Sequence, residues 1–409
     1  MNPASATTEN PSSFAPEAPF DTRKLDGLLE ERDIDALIVS SKHNIQYLLG
    51  GYRFFFFDYM DAIGLSRYLP LFIYPRGRPE DAAYIANSME SYERSLGRFW
   101  VPNVVTKSWG TLDAANLALD HLERLNQKPR RVGVETSFLP ADAYSLITSR
   151  LHNTELVDCL VPLERLRARK NKAELDLLRR ASEGVVESML AVMSSHGPGV
   201  TKRELAEALR REEVSRGLIF EYCLVTTGAN INRAPSTDRW LEGEIMSLDS
   251  GGNYHGYIGD LCRMAILGEP DAELQNMLGG IEEVQQAARK PIRAGAIGSE
   301  IYAAAEAVLA RDPRRPHMHF CAHGMGLVSH EAPRLTSTGP VPYPGDDAER
   351  PLEEGMVISI ETTLPHPKRG FIKLEDTVAV TANGYEAFGD AGRGWNRGGA
   401  RKTTPSLAQ

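Results

Sequence analysis

The sequence predicts two domains of mixed composition, an N-terminal α/β layer followed by a larger α+β domain. Three features support this class: apolar runs alternate with amphipathic helices up to residue 163, a long helical pattern follows, and the chain then becomes rich in strands. With 409 residues, of which 42% are hydrophobic and 25% charged, the composition is typical of a globular protein. It excludes collagen-like, coiled-coil and wholly disordered chains.

The first domain is expected over residues 20–163, after a disordered tail over 1–19 that is rich in Pro, Ser, Thr and Ala. The predicted elements are, in order, a helix over 22–31, strands over 36–39 and 71–74, a helix over 112–125 and a strand over 131–134. Four consecutive phenylalanines at 54–57 predict a buried strand or the wall of a pocket, with burial in the core favoured.

The second domain is expected over residues 164–392, with a flexible tail over 393–409. Residues 162–170, at the junction, are rich in arginine and lysine and predict a basic, exposed connector. The predicted elements are a helix over 172–195, a helix that begins with a capping box at 201–204, strands over 244–248 and 257–266 separated by a glycine-rich stretch at 251–253, helices over 272–289 and 299–310, and mainly strands over 319–380.

Charge and cysteine content narrow the classes of partner and compartment. The formal net charge is −9, from 46 Lys and Arg against 55 Asp and Glu, which argues against nucleic acid as a main partner. Four scattered cysteines form no CxxC pair and predict free thiols in a reducing compartment, so a cytoplasmic location is expected. No apolar run approaches the roughly 20 residues that span a bilayer, so we expect no membrane association.

Four acids and one histidine stand out in the second domain. Asp249 and Asp260 lie on either side of the glycine-rich stretch, which allows a hairpin that turns both carboxylates to one space. Glu361 and Glu375 each follow an apolar strand, and His323 lies among glycines. Each acid alone is typical of the exposed end of a strand. Together, four carboxylates and an imidazole are a suitable ligand set for two divalent cations, because buried carboxylates need a counter-charge.

Four segments also carry a resemblance to a known family. They are Asp249-x-Gly251-x4-Gly256-Tyr257-x2-Asp260-x2-Arg263, His323-Gly324-x-Gly326-x3-His330-Glu331-x-Pro333, Glu354-Gly355-Met356-Val357-x-Ser359-Ile360-Glu361 and Leu374-Glu375-Asp376-Thr377-Val378. With residues 44–50 and 166–181 upstream, they resemble the metallopeptidases of the pita-bread fold, which include methionine aminopeptidase, aminopeptidase P, prolidase and creatinase. The resemblance implies a creatinase-like N-terminal α/β domain followed by a pita-bread catalytic domain.

The resemblance implies a role for each residue of the cluster. Asp249 would hold one metal ion, Asp260 and Glu375 would bridge two, and His323 with Glu361 would hold the second. The two divalent ions would be Mn, Co, Fe or Zn, and a water between them would be the nucleophile.

The resemblance also implies which side chains act on the substrate. His330, His323 and Glu361 would be the catalytic residues, with His330 beside the substrate carbonyl. Apart from what the resemblance implies, Arg233 and Tyr257 are expected to contact the substrate together with His330. The family further implies a homodimer.

One departure from the family pattern concerns the substrate. Proline-specific members carry a histidine in a Pro-His context after a Gly-x-Asn turn, and the corresponding stretch, 227–236, has the turn without the histidine. Arg233 in this stretch suits a substrate carboxylate, although an exposed loop arginine is the plainer alternative. The leading hypothesis is a dinuclear hydrolase that cleaves an amide or C–N bond of a short peptide or small zwitterionic compound. The alternatives are a metal-dependent lyase of the dimethylsulfoniopropionate-cleaving type and a non-catalytic binding protein.

Overall fold

The computed structural model describes residues 17–337 and 347–399. The chain divides into two compact units, Met1–Leu166 and Arg167–Gln409, so the division lies after residue 166 rather than after residue 163. Most of the tail predicted over 1–19, and residues 400–409 of the predicted C-terminal tail, fall outside the described residues. Phe20, just after the first of these tails, is buried and its ring packs against Tyr74 and Trp100.

The first unit is built on a six-stranded mixed sheet. Its elements are α1 (Thr22–Glu30), β1 (Ala36–Val39), α2 (Lys42–Leu48), α3 (Met60–Ile63), β2 (Leu71–Pro75), β3 (Ala83–Asn87), α4 (Ser91–Ser95), β4 (Asn103–Ser108), α5 (Thr111–Arg124), β5 (Arg131–Val134), α6 (Ala141–Arg150), β6 (Glu155–Asp158) and α7 (Leu160–Ala168). The strand order is β4-β3-β2-β1-β5-β6, in which β1–β2 and β2–β3 are antiparallel and the other neighbours are parallel. The predicted strands over 36–39 and 131–134 are confirmed.

The central strands of this sheet are buried on both faces, which explains their uninterrupted apolar runs. Leu37 and Val39 of β1 enter one hydrophobic cluster, whereas Ala36 and Ile38 enter another. Because successive strand residues point to opposite faces, the two clusters are the cores on the two sides of the sheet. The first unit therefore has the layered α/β form that the sequence predicts.

The four phenylalanines do not form a strand. Residues Phe55–Tyr59 form a 3₁₀-helix, in which positions three residues apart lie on the same side. Phe54 and Phe57 are accordingly both buried and pack against Tyr68, whereas Phe55 is 53% exposed. The prediction of a strand was wrong, and burial in the core applies to these two rings.

The basic junction segment is not an exposed connector either. Most of it belongs to α7, and Arg167 and Lys170 are buried, with 2% and 4% of their surface exposed. Both side chains bind the carboxylate of Glu331. A run of basic residues is usually exposed because a buried cation loses its hydration, and the compensating acid here lies more than 160 residues further along the chain.

The second unit contains an antiparallel sheet flanked by helices. Its elements are α8 (Lys172–Ser195), α9 (Lys202–Ser215), β7 (Ile219–Thr227), β8 (Ile245–Tyr254), β9 (Tyr257–Ile266), α10 (Ala272–Arg289), α11 (Ser299–Leu309), β10 (His319–Gly324), β11 (Val357–His366), β12 (Gly370–Val380), β13 (Tyr385–Phe388) and β14 (Asn396–Arg397). The main strand order is β10-β11-β12-β9-β8-β7, with β13 beside β12 and β14 beside β9. Across the described ranges, no helix has both the length and the apolar content needed to cross a bilayer.

Strands β8 and β9 form the hairpin that the two aspartates predict. Its turn consists of His255 and Gly256, whose positive φ values of 51° and 96° are typical of a type I′ turn. The strand predicted over 244–248 continues through the glycine-rich stretch, which was expected to separate the two strands. It continues because Gly251 leaves room for the ring of Tyr222, and a Cβ at this position would lie 2.4 Å from that ring.

Residues 393–399 belong to the second unit rather than to a flexible tail. Strand β14 pairs in parallel with β9, and Arg393 forms ion pairs with Asp376 and Glu282. Asp376 is 1% exposed, so its charge requires cationic partners, and this segment supplies one of them. The predicted boundary at residue 392 was therefore too early.

A buried carboxylate lies beside the β8–β9 hairpin. Glu213 of α9 is buried, and its Oε1 accepts a hydrogen bond of 2.9 Å from the Ser250 hydroxyl. Its Oε2 has no hydrogen-bond partner among the described residues. Burial raises the pKa of Glu213 to about 8, opposed by the Ser250 hydrogen bond and supported by the charge of Glu221. This carboxyl is therefore protonated in the folded protein at neutral pH.

We expect Glu213→Gln to remove a pH-dependent loss of stability. The carboxyl ionises near pH 4.5 in the unfolded chain but stays protonated up to about pH 8 in the folded protein. Between these values the unfolded state binds fewer protons, so the free energy of unfolding falls by up to about 1.4 kcal/mol per pH unit as the pH rises. In urea unfolding from pH 5 to 8, the free energy of unfolding of Glu213→Gln should rise relative to that of the wild type as the pH increases. The exposed Glu207→Gln of the same helix is the control, and parallel curves for Glu213→Gln and wild type would contradict the prediction.

Candidate metal centre

One face of the larger sheet collects the predicted metal ligands because of its strand register. Cα pairing aligns Asp249 with Cys262, Cys262 with Glu375, Glu375 with Glu361, and Glu361 with Cys321. Residues directly opposite each other on neighbouring strands point to the same face. The register therefore places three predicted ligands and two cysteines in one row across five strands.

The other two predicted ligands lie in the adjacent row of the same face. Asp260 precedes Cys262 by two positions, and His323 follows Cys321 by two, so the pleat turns them to the same side. Asp260 pairs with Gly251, and His323 pairs with Ser359. All five ligands predicted from the sequence are thus brought together.

The donor atoms are close enough to share divalent metal ions. Asp249, Asp260 and Glu375 form one group, and His323, Glu361 and Glu375 form another; in each, one ligand atom per residue lies within 4.8 Å of the others. The Nε2 atom of His323 is buried, has no hydrogen-bond partner in the described part of the chain and lies 3.7 Å from Glu375 Oε1. Carboxylate oxygens with an imidazole nitrogen suit first-row divalent ions, so the residues present fit such ions.

A lysine lies inside this cluster. The Nζ atom of Lys373 is 2.7 Å from Asp249 Oδ2, 2.6 Å from Glu361 Oε2 and 2.8 Å from Glu375 Oε2. Its side chain is 5% exposed. The ammonium group has three N–H donors, and three carboxylates lie around it.

The carboxylates and these cations determine one another's ionisation. Burial, followed by the charges of Glu375 and Asp249, raises the pKa of Asp260 well above its usual range. Burial raises the pKa of Asp249 to about 6, although Lys373 opposes this. Burial would also raise the pKa of Glu375, but Lys373 and His323 outweigh it and hold that pKa far below its usual range. The cluster is thus a set of mutually repelling acids that needs positive charge among them.

His330 lies beside the cluster and stacks on His323. The two ring centroids are 3.6 Å apart and the rings are inclined by 15°. His330 keeps contact with solvent, but burial of its stacked face, together with the charge of His323, lowers its pKa to about 4. The imidazole is therefore neutral at pH 7 and can donate one N–H. One ligand atom of His330 also lies within 4.8 Å of those of Asp260 and His323.

The two other predicted substrate contacts have different positions. Arg233 reaches the cluster, because its Nη2 binds Asp249 Oδ2 and its guanidinium lies over the ring of Phe371, 4.9 Å from the centroid. Tyr257 is buried, and its hydroxyl donates a 2.8 Å hydrogen bond to Glu174. The structure therefore brings Arg233 to the site and engages Tyr257 elsewhere, at the start of helix α8.

Further side chains hold Glu375 and its strand in position. The Ser359 hydroxyl donates a 2.9 Å hydrogen bond to Glu375 Oε1. Nη1 of Arg263 donates to the carbonyl oxygen of Glu375 at 2.8 Å, while its Nη2 lies 2.9 Å from Asp376. Arg289 approaches the other oxygen of Asp376 at 3.1 Å. The cations around Asp376 therefore fix the strand that carries Glu375.

A buried ion triad anchors the segment that carries His330. Arg167 Nε lies 3.0 Å from one carboxylate oxygen of Glu331, and Lys170 Nζ lies 2.9 Å from the other. All three side chains are at most 2% exposed. The backbone N–H of Val328 also donates to Glu331, at 3.3 Å. Gly326 faces this carboxylate, and a Cβ there would lie 2.1 Å from Glu331 Oε1. The triad thus ties the His330 segment to the start of the second unit.

We expect Glu331→Gln to destabilise the protein strongly, because it removes the charge of the carboxylate that Arg167 and Lys170 share at a buried position. Breaking a buried pair in this way costs about 3–5 kcal/mol. The matched control is Glu386→Gln, which removes an exposed carboxylate bound by Arg179 at 2.6 Å, and for which at most about 1 kcal/mol is expected. Chemical unfolding of both variants measures the difference. Equal losses of stability would show that the triad contributes no more than a surface pair.

Several residues that contact the predicted ligands or hold the site in place were not predicted from the sequence. Lys373 had a detectable signal, since it interrupts an apolar strand at the position that shares a face with Glu375. Glu331 lies in a recognised motif, but its partners in the basic junction have no pattern that points to burial. Ser359 is a common strand residue, and only the register reveals its contact with Glu375.

Comparison with known proteins agrees with this geometry. Residues 176–382 match the model of metallopeptidase family M24, and residues 22–169 match the creatinase/prolidase N-terminal domain. The probable dipeptidase PepE of Mycobacterium tuberculosis is 33% identical over 229 residues, which cover 54% of this chain and 58% of that protein. The Xaa-Pro dipeptidase of Pyrococcus horikoshii is 22% identical over 375 residues, covering 88% and 94% of the two chains.

The fold has close counterparts among solved structures. The Xaa-Pro dipeptidase from Bacillus anthracis superposes with a TM-score of 0.75 at 21% identity, covering 92% of this chain and 98% of that one. The two-domain pita-bread architecture expected from the sequence is thereby confirmed. The chain belongs to metallopeptidase family M24, with a creatinase/prolidase N-terminal domain ahead of its catalytic domain.

Proposed function

We propose that this hydrolase is a dinuclear dipeptidase that cleaves the amide bond of a short peptide bearing a free carboxylate. The observation that carries the proposal is the convergence on one face of the sheet of five side chains that could hold metal ions, with Arg233 at their edge. The names of its relatives, a probable dipeptidase and an Xaa-Pro dipeptidase, support the same substrate class.

The ligand roles in this proposal follow the two groups of donors. Asp249, Asp260 and Glu375 would hold one divalent ion, and His323, Glu361 and Glu375 the other, with Glu375 common to both groups. Asp260 would be the second bridging ligand, because its donor atom also lies close to that of His323. Bound there, the metal ions supply Lewis-acid chemistry, which activates water and polarises the scissile carbonyl.

Two side chains of the chain would act on the substrate directly. His330 is neutral at pH 7 and donates an N–H to the carbonyl oxygen as negative charge develops there. Arg233 lies 32% exposed at the edge of the cluster, and its remaining N–H groups can bind the substrate carboxylate. Packing over Phe371 limits the movement of its guanidinium. Tyr257 is omitted from this set because its hydroxyl is used by Glu174.

The comparisons do not support the lyase alternative. The matched family is one of metallopeptidases, and the named relatives above are dipeptidases. All five predicted ligand residues are present and lie close together, an arrangement that a non-catalytic binding protein would not need. Hydrolysis is therefore the reaction that the family and the site share.

We expect Asp260→Ala to abolish both metal binding and turnover. Asp260 contributes to two of the three donor groups, so its loss removes a ligand from each. Metal content of the purified protein and hydrolysis of Gly-Pro, Ala-Pro and Ala-Ala, measured before and after chelation, provide the test. The wild type should contain divalent metal, cleave at least one dipeptide and lose activity on chelation.

The control for this substitution is Asp312→Ala. Asp312 binds Arg314 at 2.6 Å and belongs to none of the donor groups, so this variant should keep metal and turnover. Activity that survives in Asp260→Ala, or that is unaffected by chelation, would contradict the dinuclear proposal. Cleavage of a small zwitterionic amide in place of every dipeptide would contradict the substrate class alone.

We also propose a homodimer and a cytoplasmic location. Large apolar side chains of the first unit are exposed, among them Tyr59 at 57% and Trp109 at 60%, and such residues are enriched at protein interfaces. The four cysteines are unpaired, which suits a reducing compartment.

Sedimentation velocity tests the homodimer, with the chain expected at twice its mass of 45.1 kDa. The double variant Tyr59→Ser, Trp109→Ser should lower that mass to the monomer value. A wild-type monomer at micromolar concentration would contradict the proposal.

A further inference from the structure

The position of Lys373 sets it apart from the other buried cations of the second unit. Arg263, Arg289 and Lys170 each bind carboxylates that belong to no donor group, namely those of Asp376 and Glu331. Lys373 instead binds Asp249, Glu361 and Glu375, which are three of the four carboxylates in the donor groups. Its charge therefore acts on the same atoms that a divalent ion requires.

The ammonium of Lys373 is close to three carboxylates at once. Its Nζ lies 2.6–2.8 Å from one oxygen each of Asp249, Glu361 and Glu375, it donates a hydrogen bond to Asp249 Oδ2, and the side chain is 5% exposed. The strand holds it there, because Lys373 pairs with Thr363 two positions from the pair formed by Glu375 and Glu361. The lysine is thus a fixed part of the sheet face.

The charge balance of the site makes Lys373 a competitor of divalent ions for the same carboxylates. When all four are ionised, the carboxylates of the donor groups carry four negative charges, of which Lys373 and Arg233 offset two. Two divalent ions would bring four positive charges to the same group. A fixed ammonium within a few ångströms of a divalent ion repels it, and this repulsion is weakly screened at a buried position.

We propose that Lys373 is a resident counter-cation of the metal centre, which holds the carboxylates together and competes with divalent ions for them. This inference rests on the proposed metal centre and adds a property to it. Metal affinity is set by an exchange of positive charge, in which the ammonium yields its carboxylates as the ions bind. The lysine thereby stabilises the protein without metal and weakens the binding of metal.

The test combines two measurements on Lys373→Met, a variant of similar length without the charge. The protein is stripped with a chelator, its thermal midpoint is measured, and it is then titrated with MnCl₂ by calorimetry. We expect the stripped variant to melt at a lower temperature than the stripped wild type. We also expect it to bind Mn²⁺ at least about tenfold more tightly, which corresponds to about 1.4 kcal/mol.

Three further variants serve as controls. Lys373→Arg keeps the charge and should bind Mn²⁺ like the wild type. Lys368→Met removes an exposed lysine from the same β11–β12 hairpin and should change neither measurement. Arg233→Met removes the second cation that binds Asp249. Because the Arg233 side chain is 32% exposed, this variant should increase the affinity for Mn²⁺ less than Lys373→Met does.

The outcomes separate this inference from the proposed function. Equal or weaker Mn²⁺ binding by Lys373→Met would overturn the inference and leave the proposed function intact. Binding by Lys373→Met but not by the wild type would support the inference and contradict the proposed function. If the stripped variant does not fold, Mn²⁺ added during refolding must restore it, and a variant that stays unfolded with Mn²⁺ would overturn the inference.

Discussion

The repulsion among four carboxylates, three of them buried, is the interaction on which the second unit depends. The register of β8, β9, β11 and β12 forces Asp249, Glu361 and Glu375 into one row, with Asp260 in the next. Carboxylates at this separation and burial do not remain ionised together without positive charge. The ammonium of Lys373 inside the row and the imidazole of His323 beside it both supply positive charge to these carboxylates.

The same rule explains the other buried ions of this unit, although their charges are balanced by the chain alone. Asp376 has three arginines, of which Arg263 is fully buried, and Glu331 has Arg167 and Lys170. At the donor groups the chain supplies less positive charge than the acids require. This deficit distinguishes a centre that takes up external cations from ion pairs that serve the fold.

Most of the predicted ligand residues lie in short-range features of the sequence, and the resemblance to the metallopeptidases supplied their roles. Asp249 and Asp260 lie on one hairpin, and Glu361 and Glu375, in the middle of β11 and β12, lie on another, so each pair is close together in the sequence. Prediction from the sequence failed where a partner lies far along the chain. Arg167 looked like part of an exposed connector because nothing near it indicates Glu331, and residues 393–399 looked like a tail because nothing near them indicates Asp376. Whether a charged side chain is buried depends on pairing with a distant residue of opposite charge, and a single sequence does not show which residues pair.

The predicted substrate contacts Tyr257 and Arg233 also show that the sequence does not reveal contacts between distant residues. Both were assigned to the substrate from their place in or near a motif, yet the hydroxyl of Tyr257 binds Glu174, whereas Arg233 reaches Asp249. The difference is one of electrostatics rather than of proximity in sequence. Arg233 already pairs with Asp249, so a metal ion held by Asp249 as proposed would free that guanidinium for an anionic substrate group. Metal and substrate carboxylate would then favour each other's binding, as linkage requires when two ligands relieve the same ion pair.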